Sequence, residues 1–236
     1  MAKETNKQAE VNVAEVVSRS EAFITTNKKG ILGGIGAVIL LIVAVMCYNN
    51  FISAPRETKA AETLAGAERL FAAGQYELAL NGDSLETVGL LDVIEEYSGT
   101  KAGNLAKAYA GISLAQLNRY EEAIEYLDAF SADDAMVGPA VLGTLGNCYA
   151  QLGQEEKAAS TLMKAASKAD NNSLSPIYLL QAGQLYEKLG KAGDAIDAYT
   201  QIKENYSNSV QASDIDKYIE RAGLQEEHFL SEYRCN

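Results

Sequence analysis

Three stretches of the chain between residues 104 and 206 share one pattern, and that repetition restricts the fold more than any other feature. Aligning Gly111, Gly146 and Gly183 also brings Leu114, Tyr149 and Tyr186 into register, then Leu117, Leu152 and Leu189. The same alignment superposes Ala123, Ala158 and Ala195, and then Leu127, Leu162 and Tyr199. The aligned alanines are spaced by 35 and 37 residues. Self-similarity at such an interval is the mark of stacked supersecondary units, each burying its apolar face only against its neighbours.

Punctuation within the repeats shows what each unit is. Pro139 and Pro176 open their repeats, where a missing N–H costs nothing and the backbone angle is already helical. Gly74, Gly153 and Gly190 follow the first helix of a pair and suit a tight left-handed turn; Asn118 takes that place once. The glycines at 111, 146 and 183 and the alanines at 123, 158 and 195 mark where two helices approach closely, while the Leu, Tyr and Ile residues between them, Tyr149 and Tyr186 included, read as core. This pattern resembles the tetratricopeptide repeat (TPR). The resemblance implies an all-α solenoid of helical hairpins whose business is binding other proteins.

A degenerate copy comes first. Leu70, Gly74, Tyr76 and Ala79 match the pattern, but the next aligned alanine, Ala123, is 44 residues on. The extra length holds a turn cluster, Asn81-Gly82-Asp83-Ser84, and an amphipathic stretch that predicts a helix over 85–97, closed by Ser98-Gly99-Thr100. As the most irregular place in the array, it is a candidate for specific contacts. At the other end, residues 209–222 read as a capping helix with Ile215, Tyr218 and Ile219 inward, and residues 223–236 as a short polar tail.

Ahead of the array, Ile31 to Tyr48 is a run of eighteen uncharged, mainly apolar residues, about 27 Å as a helix. We read residues 30–52 as a transmembrane helix; a cleaved signal peptide is the alternative, though a long polar arm precedes the run and Pro55 follows the only small-residue cleavage site, Ser53-Ala54. Lys28, Lys29 and Arg19 on one side against Arg56 and Lys59 on the other favour a cytoplasmic amino terminus, placing the acidic domain outside, in a bacterial periplasm. Gly30, Gly33, Gly34, Ala37 and Ala44 fall on one face of this helix. That face either packs against another membrane helix or reflects how common glycine is in such helices. In residues 1–29, Val13, Val16, Val17, Phe23 and Ile24 recur at helical spacing and predict an amphipathic helix in a cytoplasmic arm.

Charge and composition exclude much. The net charge is −12, and all of the acidic excess lies beyond the apolar run, which argues against nucleic acid as a partner. A single histidine, His228, and the lack of Cys-x-x-Cys, phosphate-loop or His-Glu-x-x-His patterns leave no catalytic, cofactor or metal constellation, so no enzyme and no small-molecule substrate is expected. Adjacent acids such as Glu95-Glu96, Glu121-Glu122, Asp133-Asp134 and Glu155-Glu156 point in different directions on a helix and read as solvated or helix-start residues. Cys47, Cys148 and Cys235 read as unpaired. At the positions where peptide-binding TPR domains grip a terminal carboxylate, this chain has Ala108, Ile112, Gly143, Asn147, Leu180 and Gln184. Only Asn147 fits, so the groove is expected to take apolar or uncharged polar surface. Asp83-Ser84-Leu85 matches a short acceptor pattern for periplasmic O-glycosylation in Bacteroidota.

The polar arm, the span opening with Lys28-Lys29-Gly30, the helix starting near Pro55 and the array over residues 55–222 together resemble the YfgM type of inner-membrane protein. The segments Leu78 to Asp83 and Gly99 to Ala106 look like its Bacteroidota branch. That resemblance implies an accessory subunit of the Sec translocon working beside a periplasmic chaperone. A scaffold in another cell-envelope secretion or assembly complex is the alternative.

Overall fold

The computed structural model describes residues 26–83, 87–131 and 137–234. The expected amphipathic helix in residues 13–24, Ser84 with Leu85, Asp133-Asp134 and Cys235 lie outside the described residues. Among the described residues the secondary structure is helical except for one antiparallel bridge between Gly82 and Val88. The chain forms two compact units, Met1–Pro55 and Arg56–Asn236.

The first unit is built on α1 (Lys28–Tyr48), 21 residues and so about 31 Å long, followed by a π-helical turn, Asn49–Ser53. Leu32, Ile35, Val38, Leu40 and Leu41 on α1 are all more than half exposed. Among the described residues this is the one helix long and apolar enough to cross a membrane.

The second unit is a row of antiparallel helical hairpins: α2 (Ala54–Ala72) with α3 (Tyr76–Asn81), then α4 (Leu90–Glu96), α5 (Lys101–Gln116) with α6 (Tyr120–Asp128), α7 (Gly138–Gln151) with α8 (Glu155–Ala169), and α9 (Ser175–Lys188) with α10 (Ala192–Asn205). A 3-10 turn, Gln211–Asp214, leads into α11 (Ile215–Arg234). The residue between the two helices of each hairpin, Gly74, Asn118, Gly153 or Gly190, has φ between 61° and 73°. Glycine reaches this region without steric cost and asparagine at a small one, which accounts for these residue types at the repeat turns. Pro139 and Pro176 occupy the first turns of α7 and α9.

Two places differ from the sequence reading. The helix expected over 85–97 begins only at Leu90, because the chain first doubles back: Gly82 and Gly89 bring two backbone strands so close that a Cβ on Gly89 would meet the backbone of Asn81 and Gly82. The last helix does not stop at Ala222 but continues to Arg234, so most of the expected tail, His228 included, is helical backbone. Its continuation is held at least through Gln225, whose Nε2 donates to the Glu187 carbonyl at 3.2 Å.

The core runs the length of the row in two clusters. One gathers Leu64, Leu80, Leu90, Val93, Leu114, Leu127, Val141 and Leu145; the other gathers Leu162, Leu179, Tyr199, Ile202 and Ile215.

Candidate docking surface

Each hairpin closes on a glycine facing the side chain that the repeat alignment places in its second helix. A Cβ on Gly111 would lie 2.6 Å from Leu127 Cγ, and one on Gly146 would lie 2.7 Å from Leu162 Cγ. At Gly183 it would overlap the ring of Tyr199. The carbonyls of Ala123 and Ala158 stand behind the first two sites, at 3.1 and 3.3 Å from the same built atoms. Ala123, Ala158 and Ala195 are themselves fully buried. These contacts set the spacing within the hairpins and leave each first helix free to present its remaining face.

Of the two aligned tyrosines, Tyr149 joins neighbouring hairpins. Tyr149 is half-buried, its hydroxyl donates to Asp128 Oδ2 at 3.3 Å, and Lys157 Nζ stands 5.5 Å from its ring centre. Burial first and the Asp128 carboxylate second raise its phenol pKa. Tyr186 is likewise half-buried, and its pKa is raised by burial and then by Asp194. Neither environment favours a phenolate, so both act as packing groups, Tyr149 with a hydrogen bond in addition.

The six positions expected along the groove separate into two kinds. Ala108 is fully buried, and Gly143 is covered by the ring of Tyr178, so neither offers a contact surface. Asn147 and Gln184 are exposed, with Ile112 and Leu180 half-buried. All four are uncharged. Charge is also scarce on the helices that carry them. Helix α7 has no charged residue at all, whereas α6 carries Glu121, Glu122, Glu125 and Asp128. Apart from the exposed Lys101 at the start of α5, the charges that α5 and α9 carry are turned to neighbouring elements: Lys107 Nζ donates to the Ala129 carbonyl at 3.3 Å, Glu187 pairs with Arg221 at 2.7 Å, and Lys188 pairs with Glu155. Helices α5, α7 and α9 therefore present uncharged residues at these positions, whereas α2, the first helix of the irregular hairpin, carries Arg56, Glu57, Lys59, Glu62, Glu68 and Arg69. In stacked-hairpin arrays such a row of equivalent helices forms an extended binding face.

On α1, nothing lies within 4 Å of a Cβ built on Gly30, Gly33 or Gly34, and Ala37 and Ala44 are exposed. The five residues lie within one face of that helix at 100° per residue. Among the described residues no group of three or more His, Cys, Asp or Glu side chains could hold a metal ion. Cys148 is buried, and its thiol pKa is pushed up to about 11 by desolvation, the opposite of a reactive cysteine.

Comparisons with known proteins agree with this architecture. Residues 139–170 and 178–209 each match a family model described as tetratricopeptide repeat. No curated protein matches the chain. Among solved structures, the MamA protein superposes with a TM-score of 0.50 at 15% identity, over 71% of this chain and 92% of that one. A Podosopora anserina protein of kinesin light chain type, with nearly identical TPR-like repeats, superposes with a TM-score of 0.52 at 13% identity, over 75% of this chain and 92% of that one. A point variant of the latter protein gives 0.52 at 14% identity, over 76% and 94%. At these identities the likeness speaks for the fold, an all-α TPR-type solenoid, and the matched repeats speak for a protein-binding module as its class.

Proposed function

We propose that this chain, with its tetratricopeptide repeats and one membrane-length apolar helix, is a membrane-tethered docking platform of the bacterial inner membrane. Its amino terminus faces the cytoplasm and its array the periplasm. The observation that carries this reading is the set of uncharged residues Ile112, Asn147, Leu180 and Gln184 on the first helices α5, α7 and α9, beside the acidic helix α6. A face of this kind suits apolar or uncharged polar protein surface, and the lack of a basic grip makes it unsuited to a terminal carboxylate. The helix α1 supplies the tether, and its small-residue face suits close packing against a membrane helix of the partner.

The resemblance to YfgM-type proteins points to the Sec translocon as that partner, with a periplasmic chaperone recruited by the array. No catalytic step is assigned. Crosslinking in intact membranes followed by mild-detergent purification of the full chain is expected to return Sec subunits. Recovery of a different envelope machine, with Sec subunits consistently missing, would overturn the Sec assignment and favour the scaffold alternative.

A further inference from the structure

The irregular segment between α3 and α5 lies along α2. Thr87 Cγ2 fills the space beside Gly66, where a Cβ would stand only 2.9 Å away. The hydroxyls of Thr63 and Tyr97 meet at 3.4 Å. At the start of α2, Arg56 Nη2 donates to the Glu96 carbonyl at 2.9 Å, at the carboxyl end of α4. The next residue, Glu57, reaches the amino end of α5: its two carboxylate oxygens accept from the N–H groups of Lys101 at 3.0 Å and Ala102 at 3.1 Å.

These two side chains meet the helix ends with the favoured charge at each. A cation sits at the carbonyl end of α4 and an anion at the N–H end of α5, as the helix dipole favours. Helix α5 leaves its first N–H groups without partners inside the helix. Its own cap, Thr100 Oγ1, accepts only from Gly103 N, at 2.9 Å. Glu57 takes the two before it. The amino end of α5 is thus completed by a residue 44 positions earlier in the chain, in the first turns of the second unit.

We propose that Arg56 and Glu57 form a clasp that fastens the beginning of α2 to α4 and α5, so that residues 54–64 and the amino end of α5 open and close as one cooperative piece. The clasp lies wholly within the second unit and does not rest on the membrane reading of α1.

Hydrogen exchange on the full chain in lipid nanodiscs tests it. Loss of a hydrogen bond to a charged group corresponds to roughly tenfold or more in opening. Glu57→Ala is therefore expected to speed exchange about tenfold in residues 54–64 and 97–104, with α9 unchanged. Glu57→Gln should restore part of the protection, and Glu62→Ala, an exposed change on the same helix, should have no effect. Spin labels at Lys59 and Glu125 should give a narrow distance distribution that broadens in the Arg56→Ala, Glu57→Ala double variant. Exchange that rises equally in α9, or matches that of Glu62→Ala, would overturn the clasp, as would an unchanged distance distribution. A chain that fails to enter nanodiscs would instead refute the membrane reading, since exchange reports the clasp in detergent as well.

Discussion

The ring of Tyr199 lies against Gly183, and no side chain larger than hydrogen fits between α9 and α10 at that point. Tyr199 is completely buried, so its ring has no room to withdraw. Replacing Gly183 with Ala gains about 1 kcal/mol of helix propensity but forces overpacking that costs about 1–3 kcal/mol. Gly183→Ala is therefore expected to lower the urea midpoint of the chain in detergent, with a larger loss for Gly183→Val.

The hydroxyl of the same tyrosine is a separate matter. Tyr199 Oη is buried and makes no geometrically sound hydrogen bond, although Glu187, bound in two-pronged fashion by Arg221, stands beside it. Burial, and then the Glu187 charge, push the phenol pKa far up. Removing a buried hydroxyl that lacks a partner is neutral or stabilising by about 1 kcal/mol. Tyr199→Phe should unfold at the same or higher urea concentration than the natural chain; a clear drop would mean that the hydroxyl is bonded after all.

Arg221 fastens the capping helix α11 to α9 through that pair with Glu187, and its guanidinium also lies 4.8 Å from the ring centre of Tyr218. The pair is partly exposed, which limits its worth to about 1 kcal/mol or less. Arg221→Ala should destabilise by about that much at low salt, with the difference shrinking at high salt. It should also raise hydrogen exchange in α11 before any other helix.

Cys148 gives a pH dependence with a definite sign. Its folded pKa, about 11, lies above the ordinary thiol value of 9.0. The unfolded thiol therefore loses its proton first as pH rises. Stability from this group is complete below about pH 9, the ordinary thiol value, and is lost between there and about pH 11. The natural chain should lose stability more steeply across that window than Cys148→Ala, and the folded thiol should resist maleimide at about pH 8. Equal slopes would show that the thiol ionises in the folded state as readily as in the unfolded one.

How far this was legible in the sequence varies with range along the chain. The turn at Asn118 could be read because left-handed geometry is a local property of one residue, and it has φ 61°. The hairpin register could be read because a period repeats it three times. Nothing repeats the clasp: Glu57 meets Lys101 across 44 residues, and a lone acid near a helix start reads as an ordinary dipole-favoured residue. The backbone doubling at Gly82 and Gly89 escaped for the same reason, since Val88, Leu91 and Ile94 keep helical spacing across the break. The continuation of α11 past Ala222 depends on a contact with α9, not on its own polar sequence. Of the groove positions, Ala108 and Gly143 read as surface from register alone but are covered by packing.

The central claim is that the uncharged face of a membrane-tethered array docks proteins at the periplasmic side of the translocon. Placing a photocrosslinking residue at Asn147, and separately at Glu125 on the acidic side, in living cells tests it most directly. Crosslinks from Asn147 to Sec subunits or a periplasmic chaperone are expected, and few from Glu125. Crosslinks equal at both positions, or confined to cytoplasmic proteins, would contradict it.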